Sequence, residues 1–176
     1  MAKPSIGYRD RANLPALGTS LPRGPVLLDS NVFINALAGR GPSVLQSLLA
    51  NLTSSFISGP VLLELTWPRG RLDPAHPDTA RIIAKFDQAI ARIAPQKILV
   101  PTTAQWGEAG ELAGHATRAV AGAQRSLTTA ERMEMMNDAI TAIVASAAGA
   151  TIITQDGDFD LFLQIDPKLQ VLFYDR

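Results

Sequence analysis

Four acidic residues are the candidates for chemistry in this sequence, because each lies inside or just after an apolar segment. They are Asp29, Glu64, Asp138 and Asp156. Acidic side chains rarely stand in such surroundings without a partner, since burying an unpaired charge costs free energy. No lysine or arginine is adjacent in sequence to Asp29, Glu64 or Asp156. The pattern therefore predicts a site in which several carboxylates share a cation.

Such a group of carboxylates is suited to divalent-metal chemistry. Two like charges about 4 Å apart repel by ~4 kcal/mol at an effective dielectric constant of roughly 20, so four together would take up protons or bind cations. A set of ligands made only of oxygen atoms selects hard ions, which favours Mg²⁺, with Mn²⁺ as the alternative. A Mg²⁺ ion held by few carboxylates keeps water, accepts phosphate oxygens and activates an attacking water. This chemistry is phosphodiester hydrolysis without a histidine base.

The elements that would position these acids are short strands alternating with helices. Runs typical of strands lie at residues 25–29, 55–58, 98–100, 151–154 and 171–173. Helical patterns lie between them, which predicts an α/β fold of three layers: a central parallel β-sheet of about five short strands flanked by helices. Ligands of open α/β sheets bind outside the carboxyl ends of the strands. Asp29 and Asp156 follow strands and should lie at that edge.

Spacing along two helices brings the other acids to the same edge. Glu64 lies four residues after Pro60, hence about 6 Å along a helix that begins at this edge. Asp138 stands eleven residues before Gly149, which is ~16 Å along a helix that runs back against the strands. The five residues from the start of the next strand to Asp156 also cover ~16 Å in extended conformation. The carboxylates of Asp138 and Asp156 should therefore end at the same height.

The long helix that carries Asp138 is predicted to be buried on both sides. One face carries an apolar stripe of Met133, Met136, Ile140, Ile143, Val144 and Ala147. The opposite face carries Asp138 with the small residues Ala142 and Ala145. Because a helix that is apolar or small on both sides lies in an interior, Asp138 should face an interior or a cleft.

Local signals set the expected helix boundaries. Ser30 is predicted to cap the helix after the first strand, and Pro68 to end the helix that begins at Pro60. One helix is expected over residues 103–124. Thr128 and Glu131 have the spacing of a capping box at the start of the next.

Composition bounds the class of protein. A chain of 176 residues is long enough for one domain with its own core. We predict this domain at residues 25–176, after an extended arm rich in proline and glycine at residues 1–24, called the N-terminal arm below. Basic and acidic residues balance at 16 each, which disfavours recognition of nucleic acid by a simple basic surface. With no cysteine, no secretory signal and no apolar stretch of ~20 residues, a cytoplasmic protein without membrane contact is expected.

Four segments, taken in order, resemble the motifs of a known family. They are VLLDSNVFI at residues 26–34, PVLLEL at 60–65, NDAITA at 137–142 and ATIITQDGDF at 150–159. The chain is similar over about residues 25–175 to the PIN-domain family, in particular its VapC-type toxin branch. The resemblance implies a PIN-like fold, Mg²⁺-dependent endonuclease action on RNA, and often a homodimer. In the toxin branch it also implies a cognate antitoxin, as in type II toxin–antitoxin pairs.

The resemblance also implies roles for individual residues. Asp29, Glu64, Asp138 and Asp156 match the acidic quartet of the family, as catalytic and metal-binding residues. Ser30 and Asn31 match the polar pair that orients the first aspartate. Asp156 and Asp158 are one residue closer together than in the common motif, so Asp158 is an alternative to Asp156 as the fourth acid.

Other functions and other roles are compatible with parts of the sequence. A haloacid-dehalogenase-like phosphotransferase also has an aspartate after its first strand, but it needs a second one where this chain has Asn31. A PIN nuclease that processes RNA without being a toxin, and a non-catalytic PIN-like module that binds RNA or protein, remain alternatives. Taken singly, Asp29 is an ordinary helix cap.

Several further polar and aromatic residues are given ordinary structural roles. Asp158 and Asp160 are expected as turn or surface residues when no role in the site is assumed. His76 and His115 have no companions at ligand spacing. Arg69 and Arg71 are assigned to a solvated loop. Trp67 and Trp106 are assigned to the core or to an interface.

Overall fold

Helices and short strands alternate along the chain, as the sequence predicts. The computed structural model describes residues 6–20, 22–121 and 127–175. The strands are β1 (Val26–Leu28), β2 (Ile57–Ser58), β3 (Ile98–Leu99), β4 (Thr151–Thr154) and β5 (Gln170–Phe173). The helices are α1 (Ser30–Leu37), α2 (Ser43–Ala50), α3 (Gly59–Arg71), α4 (Thr79–Ala91), α5 (Thr103–Ala121), α6 (Thr129–Ala147) and α7 (Asp158–Ile165). Within these described ranges, no helix combines the length and the apolarity that crossing a membrane requires.

All five strands are parallel and lie side by side in the order β3-β2-β1-β4-β5. β1 pairs with β4, β4 with β5, and β2 with β3. A bridge between Leu27 and Phe56 joins the two groups of strands. There the Phe56 N–H donates to the Val26 carbonyl at 2.7 Å, and the Leu28 N–H donates to the Phe56 carbonyl at 2.9 Å. The predicted parallel sheet of about five short strands is confirmed.

The sheet separates two apolar cores. Successive side chains of a strand point to opposite faces. Leu27 and Ile152 accordingly enter one core, while Leu28 and Ile153 enter the other. Helices α5, α6 and α7 cover the first core, and α1 to α4 cover the second. The predicted three-layer architecture is confirmed, with β1 and β4 buried at its centre.

Helix α6 packs through its small residues rather than through the methionines of the predicted stripe. Ala139, Ala142 and Ala145 are buried, and they share a core with alanines of α5. Met133, Met136 and Ala147 are exposed, so the prediction of one continuous buried stripe is wrong at these three residues. The physical reason is that alanines let two helix backbones approach closely, which turns the side with Met133 and Met136 toward solvent.

Two predicted helix ends are wrong, and the capping box is confirmed. Helix α1 is capped by Asp29, whose side chain accepts from the Ser30 N–H, so Ser30 is the first helical residue rather than the cap. Helix α3 continues through Pro68, because a proline in the last turn removes only one hydrogen bond and the Leu72 N–H still donates to the Pro68 carbonyl at 3.0 Å. The capping box of Thr128 and Glu131 is present at the start of α6.

The helix predicted over residues 103–124 corresponds to α5. Helix α5 is described up to Ala121, so its predicted end at Gln124 lies outside the described residues.

The described part of the N-terminal arm runs along the outer edge of β5. The Leu17 N–H donates to the Phe173 carbonyl at 2.7 Å, and the Phe173 N–H donates to the Pro15 carbonyl at 2.8 Å. Leu14 is buried in the core under α5 and α6. The arm therefore covers an edge strand that would otherwise present unpaired backbone groups. The boundary between arm and domain at residue 24 remains a prediction.

Candidate metal site

A pocket of about 670 Å³ opens at the carboxyl edge of the sheet. It is lined by every residue that the sequence proposes for the site: Asp29, Ser30, Asn31, Glu64, Asp138, Asp156 and Asp158. The residues come from four segments: the end of β1, helix α3, helix α6, and the stretch from the end of β4 to the start of α7. The structure thus brings the predicted residues together around one space.

Asp29 is buried and its carboxylate is held by donors on both oxygens. One oxygen accepts from the Ser30 N–H at 2.7 Å, which is the helix-cap bond. The other accepts from the Asn31 amide and from the Thr154 hydroxyl, both at 2.6 Å. The cap interpretation of Asp29 is confirmed, and the same side chain lies in the pocket wall. Three strong donors fix its orientation, which is what a preorganised ligand requires.

Thr154 connects the first and last acidic segments, and sequence reasoning missed it. Its hydroxyl donates to Asp29, and it accepts from the Asp156 N–H at 2.9 Å and from the Asn31 amide at 3.2 Å. The register of the sheet places it there, because Leu28 of β1 pairs with Ile153 of β4. A hydroxyl residue at the end of a strand that neighbours the first strand is the signal that would have found it.

A second network of hydrogen bonds holds the Asn31 side chain. The Tyr174 hydroxyl donates to the Asn31 side-chain oxygen at 3.0 Å, and the Asn35 amide donates to the Tyr174 hydroxyl at 3.1 Å. The same Asn35 amide donates to the Gln155 side-chain oxygen at 3.1 Å. Asn35 lies one helical turn after Asn31, a spacing that the sequence shows, whereas Tyr174 follows β5 and no local pattern points to it. These residues fix the amide that orients Asp29.

Three aspartates form the tightest group in the pocket. One carboxylate oxygen from each of Asp138, Asp156 and Asp158 lies within 4.8 Å of the others. The Asp158 N–H donates to Asp156 Oδ1 at 2.9 Å, which closes a turn between the two residues. The sequence left Asp156 and Asp158 as alternatives, and the structure brings both to Asp138. Asp158 is half-buried at the start of α7.

Glu64 stands farther out, on the wall formed by α3. Its side chain is exposed, and it is not part of the group of three aspartates. The start of α3 is tied to α6, because the Ser58 side chain accepts from the Val61 N–H at 3.3 Å and its hydroxyl bonds the Thr141 hydroxyl at 2.8 Å. This contact sets the distance between the helix with Glu64 and the helix with Asp138.

Burial and mutual repulsion raise the pKa of the carboxyl groups. Burial is the main cause that raises the pKa of Asp138 to about 9, with the charges of Asp29, Asp156 and Asp158 adding to it. Burial also raises the pKa of Asp29 to about 6, although the hydrogen bonds from Thr154 and Ser30 oppose the shift. The pKa of Asp158 is raised by burial as well.

Four arginines that the structure describes form ion pairs with acids outside the pocket. The acids paired with arginine are Asp78, Asp87, Asp160 and Asp175. In the described part of the pocket wall there is no lysine or arginine. The raised pKa values and the missing counter-charge both indicate a site in which a bound cation would be strongly stabilised.

The structure also locates four residues that the sequence analysis placed outside the site. Asp160 was predicted at a turn or the surface; this is wrong, because it is buried and pairs with Arg9. Trp67 and Trp106 are 63% and 53% exposed, so neither belongs to the core. Arg69 pairs with Asp87 on the next helix, with 2.8 Å between Nε and Oδ1.

The profile of the PIN domain family matches residues 26–162. The chain belongs to this family. PIN domains are generally nucleases and typically use a divalent metal, so family membership supports hydrolase activity, and the three grouped aspartates are suited to hold such an ion. The roles of the individual residues remain predictions.

Solved structures share the fold of this PIN domain at low sequence identity. VapBC2 from Rickettsia felis, bound to a DNA fragment from its promoter, matches with a TM-score of 0.59 and 19% identity over 86% of this chain and 100% of its own. FitAcB from Neisseria gonorrhoeae matches with 0.60 and 17% over 84% and 96%. VapBC-5 from Mycobacterium tuberculosis, of the VapBC family of toxin–antitoxin systems, matches with 0.54 and 19% over 85% and 98%. Comparison with curated proteins gives no significant match.

Proposed function

We propose that this PIN domain is a Mg²⁺-dependent endoribonuclease and the toxin of a type II toxin–antitoxin pair. The single observation that carries the proposal is the group of Asp138, Asp156 and Asp158, whose oxygens converge within 4.8 Å without a cationic side chain beside them in the described pocket wall. Asp29 and Glu64 face the same space. A divalent ion would stabilise a group with this charge.

The donor set fits the proposed ion. All candidate ligands are carboxylate oxygens, which suit Mg²⁺ and Mn²⁺ and do not select softer metals. Asp138, Asp156 and Asp158 would hold the ion, with Asp29 beside them and Glu64 on the outer wall. When bound, such an ion lowers the pKa of a coordinated water and neutralises charge on the phosphate.

The protein's own part in the reaction is to fix the acids in advance. Three hydrogen bonds, from Ser30, Asn31 and Thr154, orient the Asp29 carboxylate. Asp156 is held by hydrogen bonds on both sides of its turn, because its N–H donates to the Thr154 hydroxyl and its Oδ1 accepts from the Asp158 N–H. Ligands held this rigidly need no rearrangement when substrate arrives.

The toxin assignment draws on the solved structures with the same fold. Those from Rickettsia felis and Mycobacterium tuberculosis are VapBC proteins, and the second is described as a member of a toxin–antitoxin family. An antitoxin partner and a homodimer are the assemblies that accompany this proposal. The alternatives are an RNA-processing PIN nuclease that is not a toxin and a non-catalytic module. The following experiment separates a nuclease from a non-catalytic module.

We expect Asp29→Asn to abolish cleavage of a single-stranded RNA pool while leaving the fold intact. Loss of a residue that hydrogen-bonds a metal ligand lowers metal affinity or activity 10–100-fold. Loss of a carboxylate inside the site should therefore lower the cleavage rate by at least ~100-fold. Cleavage would be followed on gels with Mg²⁺, with Mn²⁺ and with a chelator, and the fold by circular dichroism. Asparagine is also a good helix cap, so α1 should survive the change.

A matched variant and a second substrate complete this experiment. Glu108→Gln removes one charge from the exposed face of α5 and should leave cleavage unchanged. RNA cleavage by Asp29→Asn at the wild-type rate would contradict the assignment. Wild-type protein that binds Mn²⁺ but cleaves no RNA would favour a binding module, and release of phosphate from small esters with RNA intact would favour a phosphatase.

One wall of the pocket is apolar and suits an unpaired base. Ile34, Leu63 and Trp67 line it beside the acids, and Trp67 is 63% exposed. Stacking of a base on an aromatic side chain contributes ~1–3 kcal/mol, so Trp67→Ala should weaken binding of a single-stranded oligoribonucleotide by about 10-fold. Binding would be measured by fluorescence anisotropy in the Asp29→Asn background, which prevents cleavage.

The second tryptophan provides the control for this measurement. Trp106 is similarly exposed on α5 and does not line the pocket. Trp106→Ala should therefore leave RNA affinity unchanged. Equal losses of affinity from both changes would show that Trp67 has no special role in the site.

A further inference from the structure

The N-terminal arm reaches the candidate metal site through a tyrosine. The Tyr8 hydroxyl donates a hydrogen bond to Asp158 Oδ1. The ring lies against the turn at Gly157, where its Cδ1 atom is 3.9 Å from the position that a Cβ atom would take. Tyr8 is 57% exposed, so burial in the core does not explain its position. The hydrogen bond to Asp158 is therefore the contact that holds the Tyr8 side chain in place.

Two arginines that follow Tyr8 anchor the arm near the segment that carries the last aspartates. Arg9 binds the buried Asp160 with its backbone N–H at 2.9 Å and its guanidinium Nε at 2.7 Å. Arg11 donates to the carbonyls of Gln155 and Tyr174, both at 2.6 Å. The arm is thus attached before, within and after the turn of residues 156–158. An element attached at these points can hold Tyr8 at a fixed distance from Asp158.

The hydrogen bonds leave one oxygen of each aspartate available. Asp156 uses Oδ1 to accept from the Asp158 N–H, and Asp158 uses Oδ1 to accept from Tyr8. Among the residues that the structure describes, no hydrogen bond is made to Oδ2 of either side chain. Partners that hold one oxygen of a carboxylate orient the other toward a metal and raise the affinity of the site.

We propose that Tyr8 is a positioning residue of the metal site, which acts by fixing the Asp158 carboxylate, and that the N-terminal arm is therefore part of the site. The inference rests on the proposed function, because it requires that the aspartates bind an ion. A purely structural tether would attach the arm without influencing the ion. The two roles differ in what the loss of one hydroxyl changes.

The direct test is Tyr8→Phe in the full chain, which removes the hydroxyl and keeps the ring. The dissociation constant for Mn²⁺ would be measured by electron paramagnetic resonance, and the melting temperature without metal by calorimetry. We expect affinity for Mn²⁺ to fall about 10-fold, within the range for a lost partner behind a ligand. The metal-free melting temperature should change little, because the side chain is exposed. A lower melting temperature with unchanged Mn²⁺ affinity would overturn the proposal.

A double-mutant comparison tests whether the effect passes through Asp158. In an Asp158→Ala background, Tyr8→Phe should cause no further loss of Mn²⁺ affinity, because the acceptor of the Tyr8 hydrogen bond is gone. The same fold-loss in both backgrounds would overturn action through Asp158.

A control variant in the arm and the wild-type measurement separate the possible failures. Asp10→Asn changes a neighbouring residue that caps a turn of the arm through the Ala12 N–H at 3.1 Å, and it should leave Mn²⁺ affinity unchanged. A fall in affinity equal to that of Tyr8→Phe would overturn a specific role for the hydroxyl. Wild-type protein that fails to bind Mn²⁺ would overturn the proposed function together with this inference, whereas wild-type binding with an unaffected Tyr8→Phe variant would overturn this inference alone.

Discussion

Replacing Asp138 by asparagine should abolish RNA cleavage and make the metal-free protein more stable at about pH 8. Burial and three neighbouring aspartates raise the pKa of Asp138 to about 9, so folding at this pH must either protonate the side chain or bury its charge. An amide of the same shape avoids both costs. No hydrogen bond to the Asp138 carboxylate is seen in the described ranges, so the amide replaces it without breaking one.

The size of this effect can be read from the melting temperature. In a chain of this length ~1 kcal/mol corresponds to ~2–4 °C, and we expect a rise of at least ~4 °C for Asp138→Asn without metal. Glu108→Gln, which changes an exposed acid on α5, should shift the melting temperature by less than ~1 °C because surface changes are worth little. Normal RNA cleavage by Asp138→Asn, or a lower melting temperature in metal-free buffer, would contradict the proposed site.

The metal-free protein should lose stability as the pH rises from about 4 to about 9. Asp29 and Asp138 have folded-state pKa values raised to about 6 and about 9, above the ordinary value of about 3.9. The folded state therefore keeps protons that the unfolded state has released, and stability falls with pH wherever this holds. Asp29 contributes to the fall between about 4 and 6, and Asp138 contributes up to about 9.

A divalent ion should reverse this dependence. Binding displaces the protons, so the increase in melting temperature caused by excess Mg²⁺ or Mn²⁺ should be larger at about pH 8.5 than at about pH 6. Calorimetry at several pH values, with metal and with chelator, measures both trends. The prediction fails if metal-free stability rises over this interval, or if the gain from metal is the same at every pH.

The alternation of strands and helices, and the meeting of Asp138 with Asp156, could be predicted from spacing. Strand-like runs alternate with helices, and this alternation permits few arrangements other than a parallel sheet with helices on both faces. The helix from Gly149 back to Asp138 and the extended chain from Thr151 to Asp156 are equally long, ~16 Å each. This equality predicted that Asp138 and Asp156 meet, and the structure places their carboxylates in one group. Regular geometry made these results accessible, because rise per residue is nearly constant in helices and strands.

Contacts between distant segments were not accessible in this way. Tyr8 meets Asp158 across 150 positions, and Tyr174 meets Asn31 across 143. No periodic pattern records such pairs, because each depends on how loops close after the helices have packed. The exposure of Met133 and the course of α3 through Pro68 were missed for a related reason. Side-chain type gives a preference, and packing against neighbouring helices decides the result.

The attachment of the N-terminal arm has a consequence for how the protein is made. Translation reaches residues 8–11 before every other element of the described fold, and reaches their partners at residues 155–175 after almost all of them. Contacts this far apart in sequence form late, since a long loop must close first. The turn with Asp156 and Asp158 therefore gains the full set of contacts from the N-terminal arm only once the last strand has emerged from the ribosome. A chain that ends before β5 would carry Asp156 and Asp158 without the contacts that the arm makes to Phe173 and Tyr174.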